Sequence, residues 1–180
     1  ICSMERKKDF SEAKDSADLV KDLESKLAVT IGKYVNKGAR EFSPKTMENV
    51  IFEKNIGADD VIYLRPIFCK PFAEVPFTEV ERQMPVEFDS PALESYNATI
   101  KIPDGYEIEE LPQSKILRSP DRLISLMIQF SYEDGFLTTV YSFNIRKAFF
   151  SQAEYPGLRA FFEDVNHVLE TVVALRKKQS

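Results

Sequence analysis

The sequence predicts a mainly β, α+β chain: an antiparallel β-sandwich-like domain with an N-terminal amphipathic helix and a long C-terminal helix packed on it. Three observations carry that expectation. Apolar residues recur at three- and four-residue steps over 10–27 and again over 156–178, the period of a helix with one buried stripe. Between these segments, runs of apolar–polar alternation dominate, the period of half-buried strands. Asp134-Gly135 sits between two such runs, the strongest short-range signal of a tight hairpin.

The elements follow in chain order. Phe10, Ala13, Ala17, Val20, Leu23 and Leu27 form the first stripe, with Asp9 and Ser11 as start signals. Val29, Ile31 and Tyr34 or Val35 alternate as a short strand, and Asn36-Lys37-Gly38 reads as a turn. Residues 47–54 make a second strand around Val50, Ile51 and Phe52, and residues 61–64 a third, stopped by Pro66. Pro66, Pro71, Pro76, Pro85 and Pro91 punctuate the next stretch. Proline cannot donate to a ladder, so 66–91 reads as an extended connection with an edge strand near 80–88. The same stretch can also be read as a hinge between an N-terminal lobe, 1–70, and a C-terminal lobe, 78–180, of what is otherwise one β-rich domain, 1–180.

Tyr96, Ala98, Ile100 and Ile102 alternate as a strand that ends in the Pro103-Asp104-Gly105 turn, and a further strand begins at Tyr106 and Ile108. Ile124, Leu126, Ile128, Phe130 and Tyr132 share one face of the best strand, with Ser125, Gln129 and Ser131 on the other. Residues 136–145 alternate again beyond the Asp-Gly turn. Leu158, Phe161, Phe162, Val165, Leu169, Val172 and Leu175 or Arg176 mark the final helix, from about Pro156 to Lys178. Ser151 and Glu154 have capping-box spacing, but proline suits a first helical turn, which favours the later start.

Composition narrows the functional classes. The chain has 180 residues, 43% of them hydrophobic and 29% charged, with a net charge of −5. The two basic runs, Arg6-Lys7-Lys8 and Arg176-Lys177-Lys178, lie near the ends and do not make a basic face, so nucleic acid is not an expected partner. No stretch approaches the ~20 apolar residues of a membrane span. Two cysteines, Cys2 and Cys69, are not a disulfide framework, and whether they pair stays open. Cys69, in an apolar run, reads as a small buried hydrophobe. The start at Ile1, without initiator Met or signal peptide, is expected of a processed product or a piece of something longer.

The groups that chemistry needs are sparse. Nucleophilic catalysis requires a thiolate or hydroxyl, a base and a group that orients the base. The one histidine, His167, lies mid-helix between Asn166 and Val168. A Cys69–His167 dyad would place the only imidazole on a packing helix. Zinc needs three or four clustered ligands, and no glycine-rich phosphate loop or nucleophile elbow is present. Glu109-Glu110 and Asp59-Asp60 are adjacent carboxylates that a strand would point to opposite faces. Asp15-Ser16-Ala17 and Asn97-Ala98-Thr99 match glycosylation sequons of only three residues. The expectation is therefore no catalytic, cofactor-binding or metal residue, no cofactor, and no enzyme in this chain.

Four landmarks carry a resemblance. They are Asp59-Asp60-Val61-Ile62-Tyr63-Leu64-Arg65-Pro66, Pro76-Phe77-Thr78-Glu79-Val80-Glu81-Arg82-Gln83-Met84-Pro85-Val86-Glu87-Phe88, Ile102-Pro103-Asp104-Gly105-Tyr106-Glu107-Ile108-Glu109-Glu110-Leu111-Pro112 and Ala153-Glu154-Tyr155-Pro156-Gly157-Leu158-Arg159-Ala160-Phe161-Phe162. In order and spacing they resemble the C-terminal domain of unknown function that follows the transglutaminase-like, papain-like Cys-His-Asp core in secreted bacterial proteins. The chain departs from that pattern at Val75, where the family has Asn, and at the Pro156-Gly157 pair. The resemblance implies a non-catalytic accessory or interaction domain in the periplasm or at the outer membrane. Its partner would be a neighbouring transglutaminase-like domain or another cell-envelope protein. The alternative is a small apolar-ligand binder, with a cavity between the sheet and the C-terminal helix, for which 14 Phe and 7 Tyr would supply the lining.

Overall fold

The computed structural model describes residues 16–37, 46–72 and 76–178. The early part of the first stripe, the turn glycine Gly38, Cys2, Asp15, Val75 and the basic run at 6–8 lie outside the described residues. The chain divides into two compact units, Ile1–Ala58 and Asp59–Ser180.

In the first unit, helix α1 (Ser16–Leu27) precedes strands β1 (Thr30–Lys37) and β2 (Met47–Glu53). Leu23 of the predicted stripe is buried, but its buried companion is Leu19 rather than Val20, which is half-buried, or Ala17, which is exposed. Lys26 and Asp22 pair one turn apart at 2.8 Å. Ala28 at φ 51° ends the helix, and the Glu24 carboxylate accepts from the Ile31 N–H at 2.8 Å, tying the helix to β1. β1 and β2 pair antiparallel from Thr30↔Glu53 to Lys37↔Met47, with a register shift between Ile31 and Lys33. The strand thus runs through Asn36 and Lys37, where the sequence suggests a turn.

The second unit is built on a four-stranded antiparallel sheet in the order β5-β9-β8-β7. β5 is Ala92–Lys101, β7 Lys115–Arg118, β8 Ile124–Glu133 and β9 Phe136–Ile145. β8 and β9 form the predicted hairpin, paired without a slip from Glu133↔Phe136 to Ile124↔Ile145. Asp134 at φ 50° and Gly135 at φ 80° make its two-residue turn, the conformation that Asp-Gly favours. β5 pairs with β9 over ten residues. β3 (Val61–Leu64), β11 (Val173–Lys177) and β6 (Tyr106–Ile108) make a second antiparallel sheet, in the order β3-β11-β6. β4 (Val86–Glu87) and β10 (Phe149–Phe150) make a short pair. The edge strand expected near 80–88 is reduced to β4, because only Val86 and Glu87 find a partner strand.

Helix α2 runs over Tyr155–Leu169, preceded by a 3₁₀ turn at Gln152–Glu154. Both start signals operate in sequence. The Glu154 carboxylate accepts from the Ser151 N–H at 2.8 Å and begins the 3₁₀ turn, and Pro156 then occupies the first α-helical turn. The predicted helix through Lys178 is too long. It stops at Leu169, where the Glu170 N–H bonds the Asn166 carbonyl at 3.0 Å, and Val173–Lys177 turns into a strand between β3 and β6. The result remains mainly β with antiparallel sheets and two helices among the described residues, as predicted.

One face of the large sheet is the core. Ile124, Leu126, Ile128 and Leu137 have no exposed surface. Tyr155, Leu158, Phe161, Phe162, Val165, Val168 and Leu169 of α2 are buried, in one cluster with β8 and β9. Thr139 is also fully buried on this face, and its hydroxyl has no hydrogen-bond partner among the described residues.

Candidate functional site

The sequence offered Cys69 and His167 as its two reactive side chains. Cys69 lies in the connection after β3 and is half-buried, where the sequence suggests full burial. Its carbonyl accepts the Tyr141 hydroxyl at 2.9 Å. His167 is exposed in the last turn of α2, a position where a basic group suits the helix dipole. Among the described residues, no three His, Cys, Asp or Glu side chains gather into a set able to hold a metal ion. Of the adjacent acidic residues, two contribute main-chain carbonyls to the fold and one a carboxylate. Asp59 and Asp60 use their carbonyls to accept from the Tyr106 hydroxyl and the Lys177 N–H, and Glu109 pairs with Arg176 of β11.

The densest polar cluster surrounds the start of α2. Ser119 donates to Asp121 at 2.6 Å and accepts from the Ile124 N–H at 3.0 Å. Asp121 also accepts from the Leu123 N–H at 3.0 Å, fixing a turn in which Arg122 has φ 60°. Lys147 bridges to Glu154 and stands 4.0 Å from Asp121. The hydrogen bond from Lys147, then those from the backbone and hydroxyl of Ser151, lower the Glu154 carboxyl from 4.5 to about 2. At the other end of α2, Lys70 holds the Glu170 carboxyl below its ordinary value through a hydrogen bond, with Arg65 adding a nearby charge.

The proline-rich connection is suspended from tyrosines of the core. Tyr96 donates to the Pro66 carbonyl at 2.9 Å and accepts from the Phe68 N–H at 3.1 Å. Tyr155 donates to the Glu79 carbonyl at 2.7 Å. Phe72 and Phe77 of this connection enter the space between sheet and helix. Phe162 meets Phe77 at 5.0 Å, Phe72 at 5.3 Å and Phe143 at 5.9 Å between ring centroids. Side chains of the chain itself therefore occupy the place where the alternative reading puts a ligand.

The opposite face of the sheet has a different composition. The registers place its outward side chains in five rows across the strands. The first row is Arg118, Ser125, Asn144 and Leu93. Ile116, Met127, Ser142 and Ser95 form the second, and Gln129, Val140 and Asn97 the third. Ser131, Thr138 and Thr99 make the fourth. Glu133, Phe136 and Lys101 make the last. Leu93 is 66% exposed, Ile116 56% and Met127 40%. Charge occurs only in the first and last rows, in a chain that is 29% charged. Depletion of charge and an exposed Met are features the face shares with the cores of protein interfaces, although its serines are not. Sequence reasoning found Ser125, Gln129 and Ser131 on this face; the rest needed the cross-strand registers.

A family described as a domain of unknown function with a solved structure, DUF3858, matches residues 60–175. That span coincides with the second compact unit. A solved structure of a candidate protease from Parabacteroides distasonis has the same fold over 67% of this chain, at a TM-score of 0.55 and 16% identity. The chain spans about a quarter of that structure, 24% of its length. No protein with a curated description matches the sequence.

Proposed function

The chain belongs to the DUF3858 domain family over residues 60–175, and from that premise we propose that it is a non-catalytic accessory domain of a longer, extracytoplasmic protein. The observation that carries this reading is the use made of its reactive side chains. Ser119, Asp121, Lys147, Ser151 and Glu154 bond one another and the backbone at the entry to α2. Tyr96, Tyr141 and Tyr155 spend their hydroxyls on carbonyls of the proline-rich connection. Groups fixed in this way hold a scaffold in one shape and are poorly placed to meet a substrate. The matched candidate protease, four times as long as the matched stretch, suggests the context. Chemistry, where a parent protein performs it, resides in a separate core, and the transglutaminase-like Cys-His-Asp core implied by the sequence resemblance is the one we favour. The domain's partner would then be that core or another protein of the cell envelope.

The test uses the purified chain against a fluorogenic peptide library and a glutamine–amine transamidation pair. The reading expects turnover of neither. Turnover that disappears in both Cys69→Ala and His167→Ala variants would overturn it. Fractionation of cells expressing the complete gene product checks the location, and a product confined to the cytoplasm would refute that part.

A further inference from the structure

We infer that the outward face of the four-stranded sheet is a self-association surface, on which a second copy of the chain packs face to face. The two-fold axis runs across the strands, through the row of Gln129, Val140 and Asn97. This inference rests on different residues from the accessory reading and stands or falls apart from it.

The composition of the face selects a protein occupant. Its middle rows carry hydroxyls and amides around Ile116, Met127 and Val140, with Ile116 and Met127 directly opposite each other in the ladder. Its two basic residues, Arg118 and Lys101, stand in opposite end rows and do not form the basic stripe that anionic lipid or nucleic acid requires. Phe136 is its one aromatic, at the end of the last row, so it does not offer the stacking platform that sugar rings favour.

The charges select a second copy and its orientation. Arg118 stands at one end of the face and Glu133 at the other, on neighbouring strands β7 and β8. Neither takes part in an ion pair among the described residues. A two-fold axis across the strands lays the Arg118 end of each copy over the Glu133 end of the other, so the pairing is made twice. It also stacks Val140 on its own equivalent and overlaps all four strands. An axis along the central strand β9 would leave β7 and its Arg118 beyond the overlap. Sheets stacked with aligned strands pack about 10 Å apart.

The dimensions fit a weak dimer. Three strands of ten residues and the four-residue β7, at about 3.3 Å per residue and about 4.8 Å per strand, give roughly 500–600 Å² per copy. Two copies then bury roughly 1,000–1,200 Å², the low end for specific association.

Sedimentation equilibrium over a concentration series tests this directly. The expected mass rises from 20.7 kDa toward twice that value as concentration increases into the millimolar range. Ser142→Arg, which places a charge mid-face on the central strand, should hold the chain at the monomer mass. Arg118→Glu should weaken association at least tenfold, and the charge-swapped pair Arg118→Glu with Glu133→Arg should restore it. Far-UV circular dichroism confirms that each variant is folded, and Arg118 and Glu133 are exposed, so their exchange leaves the core untouched. A monomer at every concentration overturns the inference. So does a dimer that survives Ser142→Arg, or one that the double exchange fails to restore.

Discussion

Replacing Phe162 by alanine tests whether the space between sheet and helix is filled by the chain or kept for a ligand. Phe162 is 2% exposed and lies within 5.0–6.2 Å of the rings of Phe72, Phe77, Phe88, Phe143 and Phe161. Removing a buried phenylalanine costs about 3–5 kcal/mol. The edge-on contacts to Phe77 and Phe143 place this site in the upper half of that range, since such pairs contribute about 0.5–1.5 kcal/mol beyond area burial. A loss of about 4 kcal/mol in a unit this size lowers the melting temperature by roughly 15 °C. The variant should remain folded, because it keeps the rest of a cluster of 18 buried residues. It should also gain a dry cavity the size of the lost ring. Differential scanning calorimetry with and without benzene reads both effects. Benzene is expected to raise the midpoint of Phe162→Ala and to leave the unsubstituted chain unchanged. A loss below about 1.5 kcal/mol would mean the rings are not close-packed. Stabilisation of the unsubstituted chain by benzene would show a cavity already present, and the filled-interface argument would fail.

Four other outcomes follow from the same structure. Tyr96→Phe removes two hydrogen bonds to the proline-rich connection and should cost about 1–3 kcal/mol in urea titration; a loss below about 0.5 kcal/mol would contradict the suspension of the connection from Tyr96. Thr139→Val replaces a fully buried hydroxyl without a partner by a methyl and should stabilise by about 1 kcal/mol, so a lower melting temperature would show that the hydroxyl is satisfied. A Cβ on Gly157 would stand 3.1 Å from Pro120 Cγ, so Gly157→Val should cost about 1–3 kcal/mol by overpacking, and a stabilised variant would refute the close approach. The Glu154 carboxyl is lowered from 4.5 to about 2, so its contribution is complete above its ordinary value and is lost as pH falls from about 4.5 to about 2; Glu154→Gln should remove part of the acid-induced drop in melting temperature in that window, and identical pH profiles would sink the assignment.

The elements legible in the sequence are those whose signals are local. The β8–β9 hairpin announces itself because alternation on both sides and Asp134-Gly135 agree on one register. β11 was hidden because Val168, Leu169, Val172, Val173 and Leu175 satisfy a helical period as well as an alternating one. The helix closes in a tighter last turn, with the Thr171 hydroxyl and N–H both bonding the Val168 carbonyl, at 2.6 and 3.3 Å. What makes the remainder a strand is pairing with Val61–Leu64 and Tyr106–Ile108, segments remote in sequence. β7 escaped for the same reason, since Lys115-Ile116-Leu117-Arg118 has no alternation and becomes extended by pairing with β8. The outward face was half legible: one strand shows its polar side, but only the ladder reveals that the middle rows of the neighbouring strands are also uncharged.

The proline-rich stretch explains the aromatic composition that had suggested a ligand pocket. Prolines at 66, 71 and 76 lack the N–H groups that would tie this segment into a sheet. Its carbonyls still require partners when they are covered, and tyrosine is the side chain with the reach to supply a hydroxyl while its ring remains in an apolar core. Tyr96, Tyr141 and Tyr155 do this for Pro66, Cys69 and Glu79, and the stacked rings of Tyr96 and Tyr141, 5.0 Å apart, brace two of the three anchors against each other. The segment so held delivers Phe72 and Phe77 to Phe162. Proline, tyrosine and phenylalanine are thus one device: the first prevents a strand, the second hangs the chain across the core, and the third closes the gap that a ligand would need.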